Sequence, residues 1–111
     1  MKRDMNLVRL LLLRAEGEDP VDLSTYSEEQ VNYHESMLYR EGFIKGVPIM
    51  GGSRILDPEL EWKGHDFLDD IRDDRVWQAT MRQVGQQVGS ASLEVIKAVA
   101  ASVLTKMLTG G

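Results

Sequence analysis

The sequence predicts a small α+β protein with a winged-helix-like core and a C-terminal helical tail. Two segments with helical periodicity come first, a glycine-rich turn between two short apolar runs then predicts a β-hairpin, and a third helical segment follows. The order helix, short strand, helix, hairpin, helix within about seventy residues is that of a winged-helix domain. We assign this core to residues 1–73 and the helical extension to residues 74–111.

The first helix is predicted for residues 4–15. Apolar residues such as Val8 and Ala15 recur at helical spacing, and Asp4 is a suitable N-cap because its carboxylate can accept from free amide groups of the first turn. A glycine and a proline then end the helix. The next residues, 21–23, alternate between apolar and polar side chains and predict a short strand.

The second helix is predicted for residues 27–41. Ser27 and Gln30 have the spacing of a capping box, in which each side chain bonds the other residue's backbone amide. Val31, His34 and Leu38 follow at intervals of three and four, so they mark the inner face. We therefore expect His34 to be buried and hydrogen-bonded rather than to act as a ligand or a base.

A hairpin and a third helix follow the second helix. Residues 43–45 and 54–56 predict two strands, and the intervening GVPIMGGS supplies glycines for a turn that requires positive φ. The third helix is predicted for residues 62–72. It contains Gly64, which costs about 1 kcal/mol relative to alanine in a helix, so we expect this glycine to press against a neighbouring element.

The C-terminal extension carries two apolar stripes. Trp77, Met81, Val84 and Val88 have heptad-like spacing, with a break at Gly89-Ser90. Trp62 and Trp77 bracket the third helix, and we predict that both belong to the core. The last helix has a wide apolar face that should pack back onto the same domain or form a homodimer. Its residues are Leu93, Ile96, Val99, Ala100, Val103, Leu104 and Met107. A membrane-surface helix is a third alternative, disfavoured because such helices usually carry more basic residues on the polar face.

Charge and composition exclude or disfavour several classes of protein. The net charge is −5, and residues 1–73 carry nine Lys and Arg against sixteen Asp and Glu, which disfavours the basic footprint of a nucleic-acid binder. The chain has no cysteine, which excludes disulfides and thiolate metal sites. Its longest N-terminal apolar run covers only residues 10–13, too short for a membrane span. We expect a soluble, cytoplasmic protein.

No arrangement of residues predicts catalysis. Asp66, Asp70 and either Asp73 or Asp74 lie on adjacent helical turns near His65. Arginines are interleaved with them, so a solvated acidic face is a better interpretation than a metal site. Serine, histidine and aspartate occur without a nucleophile motif, and Gly51-Gly52 lacks the lysine of a phosphate-binding loop. The sequence predicts no enzyme, no metal and no cofactor.

Four segments carry a resemblance to a known family. The segments MKRDMNLVR, YSEEQVNYH, LEWKGHDFLDDIRDDRVW and EVIKAVAASVL together resemble the domain of unknown function 2513, a family of small bacterial and phage or prophage proteins. The resemblance covers nearly the whole chain and implies a winged-helix-like core and a mobile-element setting, without catalytic residues. Glu61 replaces the threonine expected before the tryptophan, which weakens the N-cap there.

The outward face of the second helix is the candidate binding surface. Tyrosines are favoured anchors at protein interfaces, and carboxylates surround them here. We therefore expect a non-catalytic phage or prophage accessory protein that binds another protein, for example to inhibit a host nucleic-acid-binding or defence protein. The candidate contact residues are Glu29, Asn32, Tyr33, Glu35, Ser36, Tyr39 and Arg40.

The alternative is a dimeric winged-helix transcriptional regulator. In that case Asn32 and Arg40 would read bases from the second helix, and Lys45 and Arg54 would contact phosphates from the hairpin. Four glutamates on the second helix oppose its single arginine, and their repulsion of phosphate makes this the weaker hypothesis.

Overall fold

The computed structural model describes residues 2–85 and 92–110. Within these ranges the chain is mixed α+β, as predicted, with five α-helices and a two-stranded antiparallel sheet, an arrangement compatible with a winged-helix-like core. The elements in chain order are α1 (Met5–Glu16), α2 (Glu28–Arg40), β1 (Ile44–Ile49), a 3-10 turn (Met50–Gly52), β2 (Arg54–Leu60), α3 (Trp62–Ile71), α4 (Asp74–Gly85) and α5 (Leu93–Thr109).

Local capping fixes the ends of the first two helices, as the sequence predicts. The Asp4 carboxylate accepts from the Leu7 amide at 3.0 Å, and α1 ends at a left-handed Gly17. At α2 the predicted capping box is complete, because the Ser27 hydroxyl accepts from the Gln30 amide and the Gln30 side chain accepts from the Ser27 amide. These bonds satisfy amide groups that have no partner inside a helix.

The chain forms two compact units, Met1–Leu68 and Asp69–Gly111. The predicted division after residue 73 stays a prediction. In the first unit α1 and α2 both contact β2, and the apolar faces of the helices and the hairpin form the core. Its buried apolar residues are Leu7, Val8, Leu11, Leu12, Ala15, Leu38, Phe43, Ile44, Ile55, Leu60, Phe67 and Leu68.

His34 is buried among these residues and ties α2 to the start of α1. Its Nε2 accepts from the Asp4 amide at 2.8 Å, so the ring proton must lie on Nδ1, which donates to the Gln30 carbonyl oxygen at 2.8 Å. The prediction of a buried, hydrogen-bonded histidine is confirmed. Because both ring nitrogens are used for these bonds, His34 is held in one position and one tautomer.

The hairpin is longer than predicted. Ile44 pairs with Leu60 at its base, Ile49 pairs with Arg54 near its tip, and a bulge between Lys45 and Val47 shifts the register. The tip has positive φ at Met50, Gly51 and Gly52, which confirms the predicted need for glycine there.

No strand forms at residues 21–23, so the predicted short strand is wrong. The Asp22 carboxylate accepts from the Ser24 amide at 2.9 Å, and the Tyr26 amide donates to the Leu23 carbonyl at 3.0 Å. These local bonds close a turn instead of leaving the segment extended. Bonds from the Ser24 hydroxyl and amide also lower the pKa of Asp22.

Gly64 occupies a position that excludes any side chain, as the sequence predicts. A Cβ atom built there would lie 2.1 Å from the Phe43 carbonyl oxygen and 3.1 Å from a Leu60 methyl carbon. The same Phe43 oxygen accepts the Glu61 amide at 3.0 Å, and the Phe43 ring meets Phe67 edge-on at 5.8 Å. This close contact sets the start of α3 against the base of the hairpin.

The two tryptophans have opposite environments. Trp77 in α4 is 2% exposed, as predicted, but Trp62 at the start of α3 is 87% exposed, so its assignment to the core is wrong. Trp62 is the first residue of its helix, and the buried positions Phe67 and Leu68 lie on a different face. The helical stripe, rather than the size of the side chain, therefore decides which residues of α3 are buried.

In the second unit α4 packs against α5, and Asp70 accepts from the Lys97 ammonium at 2.6 Å. The predicted α4 stripe is present at Trp77, Met81 and Val84, while Val88 and the break at Gly89-Ser90 lie outside the described residues. Buried side chains in this unit are Ile71, Val76, Trp77, Thr80, Val84, Ile96 and Ala100.

Acid should weaken the cap of α4 because a carboxylate forms it. The Asp73 carboxylate accepts the amides of Val76 and Arg75, and these bonds lower its pKa. A lowered folded-state pKa stabilises the fold above the unfolded value, and this stabilisation is lost as pH falls through the folded value.

We therefore expect the melting temperature of the wild type to exceed that of Asp73→Asn near neutral pH. Asparagine keeps a cap acceptor but does not titrate, so the difference should shrink below about pH 4. Thermal melts followed by circular dichroism across this range would measure it. A difference that does not change with pH would contradict the role of the carboxylate.

Candidate functional site: the exposed face of the second helix

A stripe of four residues runs along the outward side of α2. Glu29, Tyr33, Ser36 and Arg40 are separated by four, three and four residues, so they share one helical face. Glu29, Tyr33 and Arg40 are exposed and Ser36 is half-buried. The opposite side of the helix holds the buried residues and faces the core. We call these four residues the α2 stripe.

The α2 stripe lines a groove of about 630 Å³ beside the tip of the hairpin. The Ser36 hydroxyl donates to the Gly52 carbonyl oxygen at 2.8 Å and so joins the helix to the tip. The groove contains five of the seven predicted contact residues, and it adds Glu28 and Ser53, which the sequence reasoning missed. Its lining is Glu28, Glu29, Asn32, Tyr33, Ser36, Arg40 and Ser53.

Tyr33 is the one aromatic residue among those that line this groove. It is 36% exposed, and its ring meets the His34 ring edge-on with centroids 5.4 Å apart. Because two backbone bonds fix His34, Tyr33 rests on a rigid neighbour. A tyrosine held in this way loses little side-chain entropy on binding, which suits it to anchor a protein interface.

The two ends of the groove carry opposite charges. Glu28 and Glu29 lie at the N-terminal end of α2, where carboxylates also interact favourably with the helix dipole. Arg40 lies at the C-terminal end, and its guanidinium contacts the Met37 sulfur at 2.9 Å. The uncharged side chains of Asn32, Tyr33 and Ser36 lie between them. The groove is therefore polarised along its length.

Glu35 does not lie on this face, contrary to prediction. It is 5% exposed, and its carboxylate accepts from the guanidinium of Arg14 in α1. Position 35 points inward with Leu38, and burial of a carboxylate requires a paired cation. Tyr39, another predicted contact residue, is half-buried and does not line the groove.

The four residues of the DNA-binding hypothesis do not share one groove. Asn32 and Arg40 line the α2 groove, whereas Arg54 lines a second groove of about 620 Å³ together with Asn32 and Glu28. Lys45 lies 3.8 Å from Glu59, its cross-strand neighbour. The Lys45 ammonium therefore has a carboxylate nearby, which reduces its attraction for phosphate.

Tyr26 lines the second groove. Burial, followed by the neighbouring Asp4 carboxylate, raises the pKa of the Tyr26 hydroxyl. The hydroxyl therefore keeps its proton near neutral pH and remains a hydrogen-bond donor. The groove also contains both members of the Arg14–Glu35 pair, so its charges are largely compensated internally.

Three aspartates of the predicted acidic face form ion pairs or a helix cap. Asp69 pairs with Arg72 at 3.2 Å, Asp70 pairs with Lys97, and Asp73 caps α4. Across residues 2–85 and 92–110, no group of three or more His, Asp or Glu side chains is placed to hold a metal ion. No helix in those ranges is both long and apolar enough to cross a membrane.

The predicted packing face of α5 is only partly covered. Ile96 and Ala100 are buried and α5 contacts α4, but Met107 is 43% exposed. The half-buried residues of this face are Leu93, Val99, Val103 and Leu104. Dimerisation through this helix stays a prediction.

Comparisons with known proteins agree with the sequence resemblance. The profile of a family described as "Hypothetical protein (DUF2513)" matches residues 2–91. An "Uncharacterized protein" of Haemophilus influenzae is 30% identical over 117 residues, covering 97% of this chain and 99% of the relative. No solved structure matches the chain significantly. The family match spans most of the chain, and the chain therefore belongs to the DUF2513 family.

Proposed function

We propose that this chain acts by binding another protein through the groove beside α2, without catalysing a reaction. The observation that carries the proposal is the α2 groove itself, where a rigidly supported tyrosine lies between carboxylates and an arginine. Rigid aromatic anchors bordered by charged residues are typical of protein interfaces. The carboxylates of Glu28 and Glu29 favour a partner segment that places Lys or Arg at that end of the groove.

The biological setting extends this proposal. The resemblance to a family with phage and prophage members and the net charge of −5 favour an accessory protein of the bacterial cytoplasm. The carboxylate end of the groove suits inhibition of a host nucleic-acid-binding or defence protein, because it can compete with phosphate for a basic site.

Site-specific photo-crosslinking in the host tests the proposal. A benzophenone amino acid at Tyr33 should give an adduct with a second protein, while the same probe at the exposed Gln78 of α4 should not. Glu28→Lys with Glu29→Lys should remove the Tyr33 adduct, since the double reversal repels a basic partner segment. Equal adducts from positions 33 and 78, or none from either, would contradict the proposal.

The second candidate function is DNA binding as a dimeric regulator. Asn32 and Arg40 in one groove, on the helix that precedes the hairpin, favour it, because both can read base edges. Fluorescence anisotropy with mixed duplex DNA, titrated with salt, distinguishes the two functions. A regulator should bind with a steep salt dependence and lose binding on Arg40→Glu or Lys45→Glu. Absence of binding at low salt would exclude it.

A further inference from the structure

The α2 stripe has a symmetry that identifies an occupant for the groove. Its four positions are symmetric about the midpoint between residues 34 and 35, since 29 and 40 lie equally far from it, as do 33 and 36. Reversal of the helix direction therefore superimposes Glu29 on Arg40 and Tyr33 on Ser36. A pattern of this kind is complementary to itself when two copies run antiparallel.

We propose that the α2 stripe pairs with the α2 stripe of a second copy of this chain, antiparallel about a two-fold axis. The inference goes beyond the proposed function, because it gives the same groove a second occupant, another copy of this chain. Glu29 of each copy would face Arg40 of the other, so two opposite-charge pairs close the two ends of the contact. These pairs lie about 16 Å apart along the helix at 1.5 Å rise per residue.

The centre of the pairing matches a large side chain with a small one. Tyr33 of each copy faces Ser36 of the other, which allows the two tyrosine rings to interdigitate rather than collide. The spacing of four, three and four residues is that of helices packed about 8–10 Å apart at a shallow crossing angle.

Self-association would regulate the proposed binding site. The contact involves one face of a 13-residue helix. We expect it to bury less area per copy than the roughly 800 Å² of a standard stable interface. We expect a weak, reversible dimer that masks the groove at high concentration and opens on dilution or when a target competes.

Charge-swap variants test the pairing by sedimentation equilibrium. The wild-type mass should rise from 12.5 kDa toward twice that value with concentration. Glu29→Arg alone, or Arg40→Glu alone, should weaken association about tenfold or more, because each replaces two attractive pairs by two repulsive ones. The double variant Glu29→Arg with Arg40→Glu should restore association, since the pairs re-form with reversed sign.

Glu94→Arg provides a matched control for net charge and helix dipole, because Glu94 is exposed in the first turn of α5 as Glu29 is in the first turn of α2. It makes the same charge change on a different helix, where it does not belong to the α2 stripe. We expect little loss of association. A wild type that stays at 12.5 kDa, or a double variant no better than the single ones, would overturn the proposal.

Disulfide trapping tests the antiparallel register independently, because the chain has no cysteine of its own. Ser36→Cys lies near the two-fold axis and should form a disulfide-linked dimer, whereas Gln78→Cys should not. A mixture of Glu29→Cys and Arg40→Cys proteins should form the mixed dimer in preference to either homodimer. Homodimers of Glu29→Cys alone would indicate a parallel pairing and overturn the inference.

The two proposals fail separately. Trapped dimers without a photo-crosslinked target would reject the binding of another protein and keep the self-pairing. A photo-crosslinked target without concentration-dependent mass would reject the self-pairing and keep the proposed function.

Discussion

Gly64→Ala is expected to destabilise the protein by at least about 3 kcal/mol, more than typical overpacking in a core. The new methyl group would lie 2.1 Å from the Phe43 carbonyl oxygen, which is backbone and cannot rotate away. That oxygen also accepts the Glu61 amide, and the Phe43 side chain is 4% exposed. Relief of the clash would therefore move α3 or the hairpin base and disturb the Phe43–Phe67 contact.

Gly85→Ala is the matched control for this substitution. Gly85 also lies in a helix, but among the described residues no atom outside its own helix lies within 4 Å of an added Cβ. Alanine there should leave stability unchanged or raise it by up to about 1 kcal/mol, through helix propensity. Urea unfolding followed by circular dichroism measures both variants. Equal stability of Gly64→Ala and Gly85→Ala would contradict the close approach.

Arg14→Met is expected to cost about 2–3 kcal/mol, because it leaves the buried Glu35 carboxylate without its cation. This free-energy cost should be toward the lower end of the range for breaking a buried ion pair, because the Arg14 side chain is 38% exposed and water can reach it. Glu35→Leu alone should cost less, because the remaining arginine can turn to solvent.

The double variant Arg14→Met with Glu35→Leu should be more stable than Arg14→Met alone. Removal of both charges avoids burial of an unpaired ion and leaves apolar groups in their place. A double-mutant cycle from urea midpoints gives the coupling energy between the two positions. Additive effects would contradict a direct interaction. Glu35→Lys should be among the least tolerated changes on α2, since it would bury two cations together.

Local signals in the sequence were sufficient to predict the helices and the hairpin. The caps at Asp4 and Ser27 act within a few residues, so sequence spacing alone specifies them. The burial of His34 could be predicted from its position between Val31 and Leu38 on the inner face of the helix. The close packing at Gly64 could be predicted because glycine is unfavourable inside a helix, which indicates a close neighbour but does not identify it.

Structural features that depend on contacts between residues far apart in the sequence could not be predicted in this way. Glu35 is turned inward by Arg14, which lies 21 residues away in another helix. Ser53 joins the α2 groove because the Ser36 hydroxyl bonds Gly52 across 16 residues. Residues 21–23 alternate like a strand, but the bonds from Ser24 to Asp22 and from Tyr26 to Leu23 close a local turn there instead.

Spacing and residue type along the chain are sufficient to specify the α+β class, the caps, the turn at the hairpin tip and the outward direction of Glu29, Tyr33 and Arg40. Periodicity and capping act over one or two helical turns, so they can be read from spacing. The exposure of Trp62, the burial of Glu35 and the groove beside Tyr33 become visible only in the folded chain. These outcomes depend on which elements pack together, and that packing is a sum of contacts between residues far apart in the chain.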